Sequence, residues 1–368
     1  MSEFFKFDPA VFAVNKYYQI MLPCEKSCFF FVKVGEKLYY DESNGIMCSR
    51  NKIHKVEVPV DELNNAEEYT VCIRPIIARK AYFSKTKDVI EKTYKFYPIP
   101  ENNIRAYHIA DAHNIITEPI KAAETFGKID FLILNGDVIE DSSNPAKFMN
   151  IYEICSRLTK GEKPVIFSRG NHDLRGNFAE KFAEYTPTHL GNTYYSFRIG
   201  NIWGILLDCG EDKNDNHPEY GFTVACHVFR QRQTEFLKNI IENKENEYEA
   251  QGVKHKLVIS HNAFVHRYTP PFDIEQDIFS EWSVLLKENV KPEIMICGHA
   301  HELNVYYPEN SDWYSNGIVC PVVIGSTVKK QKPVYFAGCG YVFNDDGIEV
   351  IFTDSNGEIL RKETISKH

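Results

Sequence analysis

The sequence lacks any long hydrophobic run, and we expect no secretory leader. None of its apolar stretches approaches the roughly 20 residues that a membrane-spanning helix needs. The first six residues, MSEFFK, show no basic segment followed by an apolar one. We therefore expect a cytoplasmic protein that does not associate with membranes.

A regular cysteine framework is also missing. The ten cysteines are scattered, and the closest pair, Cys24 and Cys28, is not followed by a second pair at a spacing typical of a zinc site. We interpret all ten as reduced thiols.

An excess of positive charge is absent as well. Lys and Arg number 42 against 51 Asp and Glu, which gives a net charge of −9. This balance does not suit a protein that coats nucleic acid, and no stripe of interleaved basic and aromatic residues is visible. We therefore do not expect nucleic acid among its partners.

The composition is that of a globular protein, with 43% hydrophobic and 25% charged residues. The length of 368 residues favours two domains. The pattern changes near Pro98-Ile99-Pro100, so we place an N-terminal domain at residues 1–100 and a second domain at 104–368. Short segments rich in Val, Ile, Phe and Tyr predict an all-β sandwich for the first domain: residues 28–40, 52–60, 68–78 and 88–97.

The second domain alternates between strand-like and helix-like segments, which predicts an α/β layer fold. The predicted strands are residues 104–110, 131–134, 165–167, 256–260 and 293–297, with a hairpin over 194–207. The predicted helices are residues 115–127, 145–158, 178–185, 229–242 and 279–289. From residue 305 onward the pattern is that of strands.

Five of the predicted strands end in residues that bind metals, at the position where α/β folds place their ligands. These residues are Asp111-Ala112-His113, Gly136-Asp137, Gly170-Asn171-His172-Asp173, His261-Asn262 and Gly298-His299-Ala300-His301. Each cluster alone is also typical of an ordinary turn. Together they supply the imidazoles and carboxylates with which two metal ions are held about 3.5–4 Å apart to grip a phosphate and activate water.

The order of these five blocks resembles that of the calcineurin-like metallophosphoesterases, over residues 111–301. The resemblance implies a four-layer α/β/β/α sandwich, preceded here by the smaller all-β domain. The strands after residue 305 would then complete the second sheet.

The resemblance also implies a dinuclear site with two divalent or trivalent ions, of Mn, Fe or Zn. One ion would be held by Asp111, His113, Asp137 and His301. The other would be held by Asp137, Asn171, His261 and His299, with Asp137 bridging. The nucleophile would be a metal-bound hydroxide, with His172 as the catalytic acid and Asp173 as its support.

Within this superfamily the chain combines features of several branches. An N-terminal sandwich is similar to the layout of purple acid phosphatases, but those enzymes have a tyrosine where this chain has Glu140 and lack the histidine found here as His113. We therefore predict no tyrosinate-to-iron colour. The Asp-x-His and Gly-Asn-His-Asp blocks, the second of which is closely followed by Arg175, are more similar to those of class III cyclic-nucleotide phosphodiesterases and of the nuclease branch. Asp173 departs from the protein phosphatase pattern, which has glutamate there.

The segment 208–230 is too polar for a core strand and too long for a simple turn. We predict that it forms a rim above the metals. Tyr220 would stack on the substrate, His217 would contact phosphate, and Arg175 and His266 are further candidates for substrate binding.

Two hypotheses of different classes follow. The first is a dinuclear phosphoesterase that hydrolyses small phosphomonoesters or phosphodiesters. The second is a degenerate relative that acts as a metal-binding scaffold or interaction protein. No ligand of the pattern is missing, which favours the enzyme, and metal content discriminates between the two. The sequence leaves the oligomeric state open.

Overall fold

The computed structural model describes residues 6–42, 45–309 and 312–367. Its helices are α1 (Val60–Ala66), α2 (Thr117–Phe126), α3 (Met149–Thr159), α4 (Phe182–Tyr185), α5 (Cys226–Glu242) and α6 (Gln276–Leu285). Its strands are β1 (Ala10–Val14), β2 (Tyr17–Pro23), β3 (Cys28–Val34), β4 (Lys37–Tyr40), β5 (Ile53–Pro59), β6 (Glu68–Ala78), β7 (Lys85–Thr86), β8 (Ile90–Lys95), β9 (Ile104–Ile109), β10 (Phe131–Asn135), β11 (Pro164–Ser168), β12 (Tyr195–Ile199), β13 (Ile202–Leu206), β14 (His255–Ile259), β15 (Ile294–Cys297), β16 (Leu303–Tyr306), β17 (Val322–Gly325), β18 (Thr327–Lys329), β19 (Tyr335–Asn344), β20 (Gly347–Asp354) and β21 (Ile359–Ser366).

The first sheet has β9, β10 and β11 at its centre, in parallel. Its strand order is β21-β20-β19-β9-β10-β11-β1-β2-β5, and β18 pairs with β19. All five residues of β10, Phe-Leu-Ile-Leu-Asn, are buried, as is typical of a parallel strand covered on both faces.

The second sheet has the order β12-β13-β14-β15-β17-β16. β13, β14, β15 and β17 are parallel to one another, whereas β12 and β16 pair antiparallel at the two edges. Of the strands after residue 302, only β16 and β17 lie in this sheet. The expectation that the whole C-terminal segment completes it is therefore wrong, because β19 pairs antiparallel with β9, with Cys339 opposite His108, and brings β18, β20 and β21 into the first sheet.

The N-terminal hundred residues are rich in strands, as expected, but these strands belong to two sheets. β3, β4, β6, β7 and β8 form a small antiparallel sheet. β1, β2 and β5 instead extend the first sheet, because β1 pairs in parallel with β11, with Val11 opposite Pro164. The division at residues 1–100 and 104–368 stays a prediction, and this pairing crosses it.

Two hydrophobic clusters hold the sheets and helices together. Neighbouring residues of β13 and β14 point to opposite sides, so that Ile202 and Leu257 enter the larger cluster with the first sheet, while Trp203 and Val258 enter the smaller one. The smaller cluster also contains residues of α5 and α6. The helices α2 and α3 pack on strands of the first sheet. The four-layer arrangement itself stays a prediction.

Within the described residues, no helix combines the length and the apolar character needed to cross a bilayer.

Candidate metal centre

The carboxyl ends of β9, β10 and β11 meet those of β14 and β15, and the five predicted blocks lie there. Two groups of three residues each bring their ligand atoms within 4.8 Å of one another: Asp111, His113 and His301 in one, and Asp137, His261 and His299 in the other. His261 links the groups, since its Nε2 lies 3.2 Å from Oδ2 of Asp137 and 3.7 Å from Oδ1 of Asp111.

The backbone at these positions is unusual. Five of the predicted ligands have a positive φ between 46° and 65°: Asp111, His113, Asp137, His299 and His301. Residues other than glycine adopt this conformation uncommonly and at a cost of about 1–3 kcal/mol each. Such strain persists where the surrounding structure imposes it, and it clusters at functional sites.

Two glycines let the loops approach closely. A Cβ atom on Gly170 would lie 2.2 Å from Oδ1 of Asp137, and one on Gly136 would lie 2.7 Å from Cα of Gly170. Any larger residue would therefore push apart the loops that follow β10 and β11.

Hydrogen bonds orient the ligand side chains. Nδ1 of His261 lies 2.7 Å from the carbonyl oxygen of Asn135, which can only accept, so Nδ1 carries a proton and Nε2 is the ring nitrogen that a metal would coordinate, in exchange for any proton there. The backbone N–H of His172 donates to Oδ1 of Asp137 (2.9 Å). Asp111 accepts from the N–H of His299 at 3.0 Å and from the hydroxyl of Ser326.

The side-chain amide of Asn171 completes the second group. It lies 3.1 Å from Nδ1 of His299 and 3.3 Å from Oδ2 of Asp137. An amide oxygen, an imidazole nitrogen and a carboxylate oxygen all offer electron pairs. A cation between them satisfies all three at once.

The electrostatics of the centre favour a cation. Burial opposes ionisation of Asp137, yet neighbouring His261 holds the pKa of its carboxyl well below the usual range. Burial lowers the pKa of His261, but the carboxylates of Asp137 and Asp111 raise it to about 10. Burial lowers the pKa of His113 to about 3 and that of His299 to about 4, which keeps both imidazoles neutral and able to coordinate.

The residues present fit a pair of metal ions. Among the described residues, Nε2 of His261 and Nδ1 of His113 are buried nitrogen atoms without a hydrogen-bond partner, an arrangement that a coordinated ion relieves. Imidazole, carboxylate and amide ligands suit Mn, Fe and Zn. The geometry brings the seven predicted ligands together, and their division between two ions stays a prediction.

His172 lies at the edge of the centre, with its ring 4.6 Å from that of His113. Its Nδ1 lies 2.9 Å from the carbonyl oxygen of Glu140. The expectation that Asp173 supports the His172 ring is wrong: Oδ2 of Asp173 accepts instead from the N–H groups of Gly170 (2.8 Å) and Asp137 (3.2 Å). Asp173 therefore positions the loops, and it does so because its buried carboxylate faces backbone donors.

Arg175 contacts this histidine, with Nη1 3.3 Å from Nε2 of His172. Its guanidinium also binds Glu211 through two hydrogen bonds of 2.9 and 2.8 Å. The predicted rim is thus tied to the centre by an ion pair in which Glu211 is buried.

Of the two predicted contacts on the rim itself, the stacking of Tyr220 is wrong, and the contact of His217 with phosphate stays a prediction. Tyr220 is buried, and its hydroxyl donates to Asp212 (2.9 Å) and accepts from the N–H of Lys213 (3.0 Å). It therefore holds the loop and offers no exposed face for stacking. Nδ1 of His217 accepts from the N–H of Glu219 at the start of a short 3₁₀ helix, Pro218–Tyr220, so this ring atom caps the helix.

The fourth candidate, His266, lies beside the second group of ligands. Its Nδ1 lies 2.8 Å from the carbonyl oxygen of Trp313, and its ring stacks on that of Trp313. Tyr268, which sequence reasoning did not single out, stands edge-on to His299, and its buried hydroxyl lacks a hydrogen-bond partner in the described part of the chain. Both residues line a small cavity next to His299.

Two charged residues at the centre also escaped assignment. Oε2 of Glu140 lies 3.4 Å from Nδ1 of His113, and Glu140 forms an ion pair with Lys330. The position of Glu140, three residues after Asp137, marked it in the sequence, whereas nothing in the sequence around Lys330 indicated a role. Lys330 follows β18, which reaches the centre only through the pairing of the first sheet.

The family model described as calcineurin-like phosphoesterase matches residues 104–303. A search of curated proteins found no sequence match. A purple acid phosphatase, PPD1 from yellow lupin (Lupinus luteus) seeds, is similar in fold, with a TM-score of 0.60 and 14% identity over 98% of this chain and 73% of that one. A structure of TT1561 from Thermus thermophilus aligns with a TM-score of 0.38 and 14% identity over 72% of this chain and 99% of that one. The family model covers more than half of the chain, which belongs to the calcineurin-like phosphoesterase family.

Proposed function

We propose that the protein hydrolyses esters of phosphate with the help of two metal ions. The observation that carries the proposal is the meeting of two three-residue ligand groups, with Nε2 of His261 between Asp137 and Asp111. Bound there, two metal ions would supply the activated water and the positive charge that phosphoester hydrolysis requires.

Asp111, His113, Asp137 and His301 would hold one ion in this proposal. Asp137, Asn171, His261 and His299 would hold the other. Asp137 is the shared ligand, and the N–H of His172 fixes its orientation. Ordered backbone of this kind holds the carboxylate in place before substrate arrives, which lowers the cost of reaching the transition state.

His172 would donate the proton that the leaving oxygen needs. Its Nδ1–H is used by the carbonyl of Glu140, so the proton must leave from Nε2. In the structure Nη1 of Arg175 faces Nε2. Nη1 can only donate, so Nε2 accepts in this arrangement. To act as the acid, Nε2 would have to take up a proton and release Nη1, while Nε and Nη2 of Arg175 stay on Glu211.

The substrate class is a small phosphorylated molecule. A cavity of about 700 Å³ opens beside Arg175 and is also lined by Arg169, Arg232 and Phe229. Glu180, Glu211 and Glu219 line it as well, so it offers an aromatic side chain and charges of both signs beside the proposed centre. The net charge of −9 disfavours a long polyanion.

The test compares p-nitrophenyl phosphate with bis-p-nitrophenyl phosphate on protein stripped with a chelator and resupplied with Mn²⁺. We expect stripping to reduce hydrolysis to background and Mn²⁺ to restore it. Preference for the monoester would identify a phosphatase, and preference for the diester a phosphodiesterase. Absence of turnover with either ester, in protein shown to hold two metal ions, would contradict the proposal and support the scaffold hypothesis.

A further inference from the structure

Cys24, Cys28 and His54 form a second cluster of metal-binding side chains, built from residues that the proposed catalytic centre does not use. Their ligand atoms lie within 4.8 Å of one another, and all three residues are buried. From these contacts we propose that the cluster binds a soft divalent cation, Zn²⁺ in particular, through two thiolates and one imidazole.

The strands bring these residues together. Leu22 lies opposite His54 in the antiparallel pair of β2 and β5, and Cys24 follows two positions later, with its N–H bonded to the carbonyl of Lys52 (2.8 Å). Alternate residues of a strand share a face, which places Cys24 diagonally across from His54. The turn between β2 and β3 then returns the chain so that Cys28 opens β3.

The distances agree with a tetrahedral site. Zn–S bonds of about 2.3 Å and Zn–N bonds of about 2.0–2.1 Å place a sulfur and a nitrogen ligand about 3.6 Å apart. Sγ of Cys28 lies 3.7 Å from Nε2 of His54. The two atoms are therefore already at the separation that a shared ion requires.

A buried carboxylate fixes the histidine. Oδ2 of Asp41 lies 2.6 Å from Nδ1 of His54, and both side chains are fully buried. Phe30 stacks on the ring at a centroid distance of 5.4 Å. A carboxylate that holds one ring nitrogen and leaves the other for the metal is the usual support of a zinc-bound histidine.

The surroundings also suit binding from solution. Cys24 lines a surface cavity of about 410 Å³ together with Phe7, Lys52 and Met149. An ion can reach the cluster from this side, and a water molecule can occupy the fourth coordination position. Binding exchanges the thiol protons for the cation and releases them to solvent.

The site escaped the sequence analysis because its third ligand does not follow the usual spacing. Cys24 and Cys28 are four residues apart, but His54 is 26 residues beyond Cys28 and on another strand. Only the register of β2 and β5 reveals that they meet.

Cobalt substitution tests the proposal on the full-length protein kept under reducing conditions. Of the residues that form the catalytic centre none is a cysteine, so a thiolate-to-cobalt charge-transfer absorption reports the proposed site alone. We expect this absorption to reach its maximum with one Co²⁺ bound per chain through cysteine, and to disappear in Cys24→Ser and Cys28→Ser. Cys72→Ser, which removes a buried cysteine outside the cluster, should retain it.

Hydrolysis of both nitrophenyl esters by Mn²⁺-loaded protein is measured in parallel. A failure of the second metal site can then be told apart from a failure of the phosphoesterase proposal. Absence of the absorption in the wild-type protein at excess Co²⁺ would overturn the second site and leave the phosphoesterase proposal untouched. Survival of the absorption in both serine variants would overturn it as well. A wild-type absorption that Zn²⁺ displaces would support it, whatever the hydrolytic activity.

Discussion

Asp137 is the side chain that we propose both metal ions share. We expect Asp137→Asn to lower kcat/KM for nitrophenyl phosphate by at least about 100-fold, because changes even to the partners of metal ligands cost 10–100-fold. Measurement of bound metal alongside turnover should show a loss of ions. The matched control is Asp141→Asn, four residues further along the same loop, where the carboxylate is ion-paired with Lys147. Equal activity of both variants would exclude Asp137 as the shared ligand.

His172 differs from the ligands in what its replacement should change. We expect His172→Asn to retain the metal content of the wild type. Its kcat should fall by about 100- to 10,000-fold for phenyl phosphate and much less for p-nitrophenyl phosphate, whose leaving oxygen needs no proton. A uniform loss with both esters would assign His172 to phosphate binding instead of proton donation.

Individual residues of the centre were predictable where a residue type that binds metals also followed a predicted buried strand. Aspartate, asparagine and histidine after buried strands singled out the seven proposed ligands, and the structure brings them close together. Tyr220 was misjudged because its type alone suggested substrate contact, whereas Asp212 offered it a partner within the same loop. Whether such a side chain contacts its own loop or a substrate depends on the conformation of the loop, which cannot be read from the sequence.

At the scale of elements, the loops after β10 and β11 are in direct contact, because Gly170 has no side chain to hold them apart. We expect Gly170→Ala to reduce activity by at least about tenfold, since its Cβ would lie 2.5 Å from the backbone nitrogen of Asp137, and displacements of about 1 Å at such centres cost up to 100-fold. Far-ultraviolet circular dichroism should show an intact fold.

Gly191 provides the contrast. It has a φ of +81° and open space around its Cβ position, so Gly191→Ala should cost about 1 kcal/mol of stability and leave turnover unchanged. Wild-type activity in Gly170→Ala would show that the two loops tolerate separation.

The predicted elements after residue 104 agree with the structure to within a few residues in most cases. The predicted helix 229–242 corresponds to α5, and the predicted strand 104–110 to β9. The helix expected at 178–185 is instead two short turns ending in α4. The strands β1 and β2 were missed because a short apolar segment gains its conformation from a partner, and the partner of β1 is distant in sequence.

For the whole molecule, the half-buried acid Glu293 connects the two sheets. Glu293 precedes β15 and contacts Nδ1 of His255 (2.8 Å) at the start of β14 and Nζ of Lys367 (3.2 Å) after β21. Burial raises the pKa of Glu293, but the hydrogen bond from His255 and the charge of Lys367 bring it below its usual value. The ionised form therefore stabilises the folded state.

We expect Glu293→Gln to lower the free energy of unfolding by about 1 kcal/mol at pH 7. Because the pKa is lower in the folded state, this contribution is present above the unfolded pKa of about 4.3 and is lost as the pH falls through the folded pKa. Urea titrations at pH 7 and at pH 3.5 should show the difference between variant and wild type shrinking.

The exposed Glu349 on β20 serves as the control, since Glu349→Gln removes a charge without such contacts in the described structure. A difference for Glu293→Gln that stays constant with pH would mean that the carboxylate contributes through packing alone.

The parallel pairing of β1 with β11 has a consequence for synthesis of the chain. Val11 meets Pro164, so the first strand leaves the ribosome about 150 residues before its neighbour exists, and such distant contacts form late. During that interval the apolar segment Ala10–Val14 can pair only with β2, and its other edge stays open to foreign strands. Until residue 168 has emerged, the nascent protein therefore depends on fast translation or on chaperones. Its yield in a cell should be more sensitive to slow translation between residues 24 and 164 than the stability of the folded protein suggests.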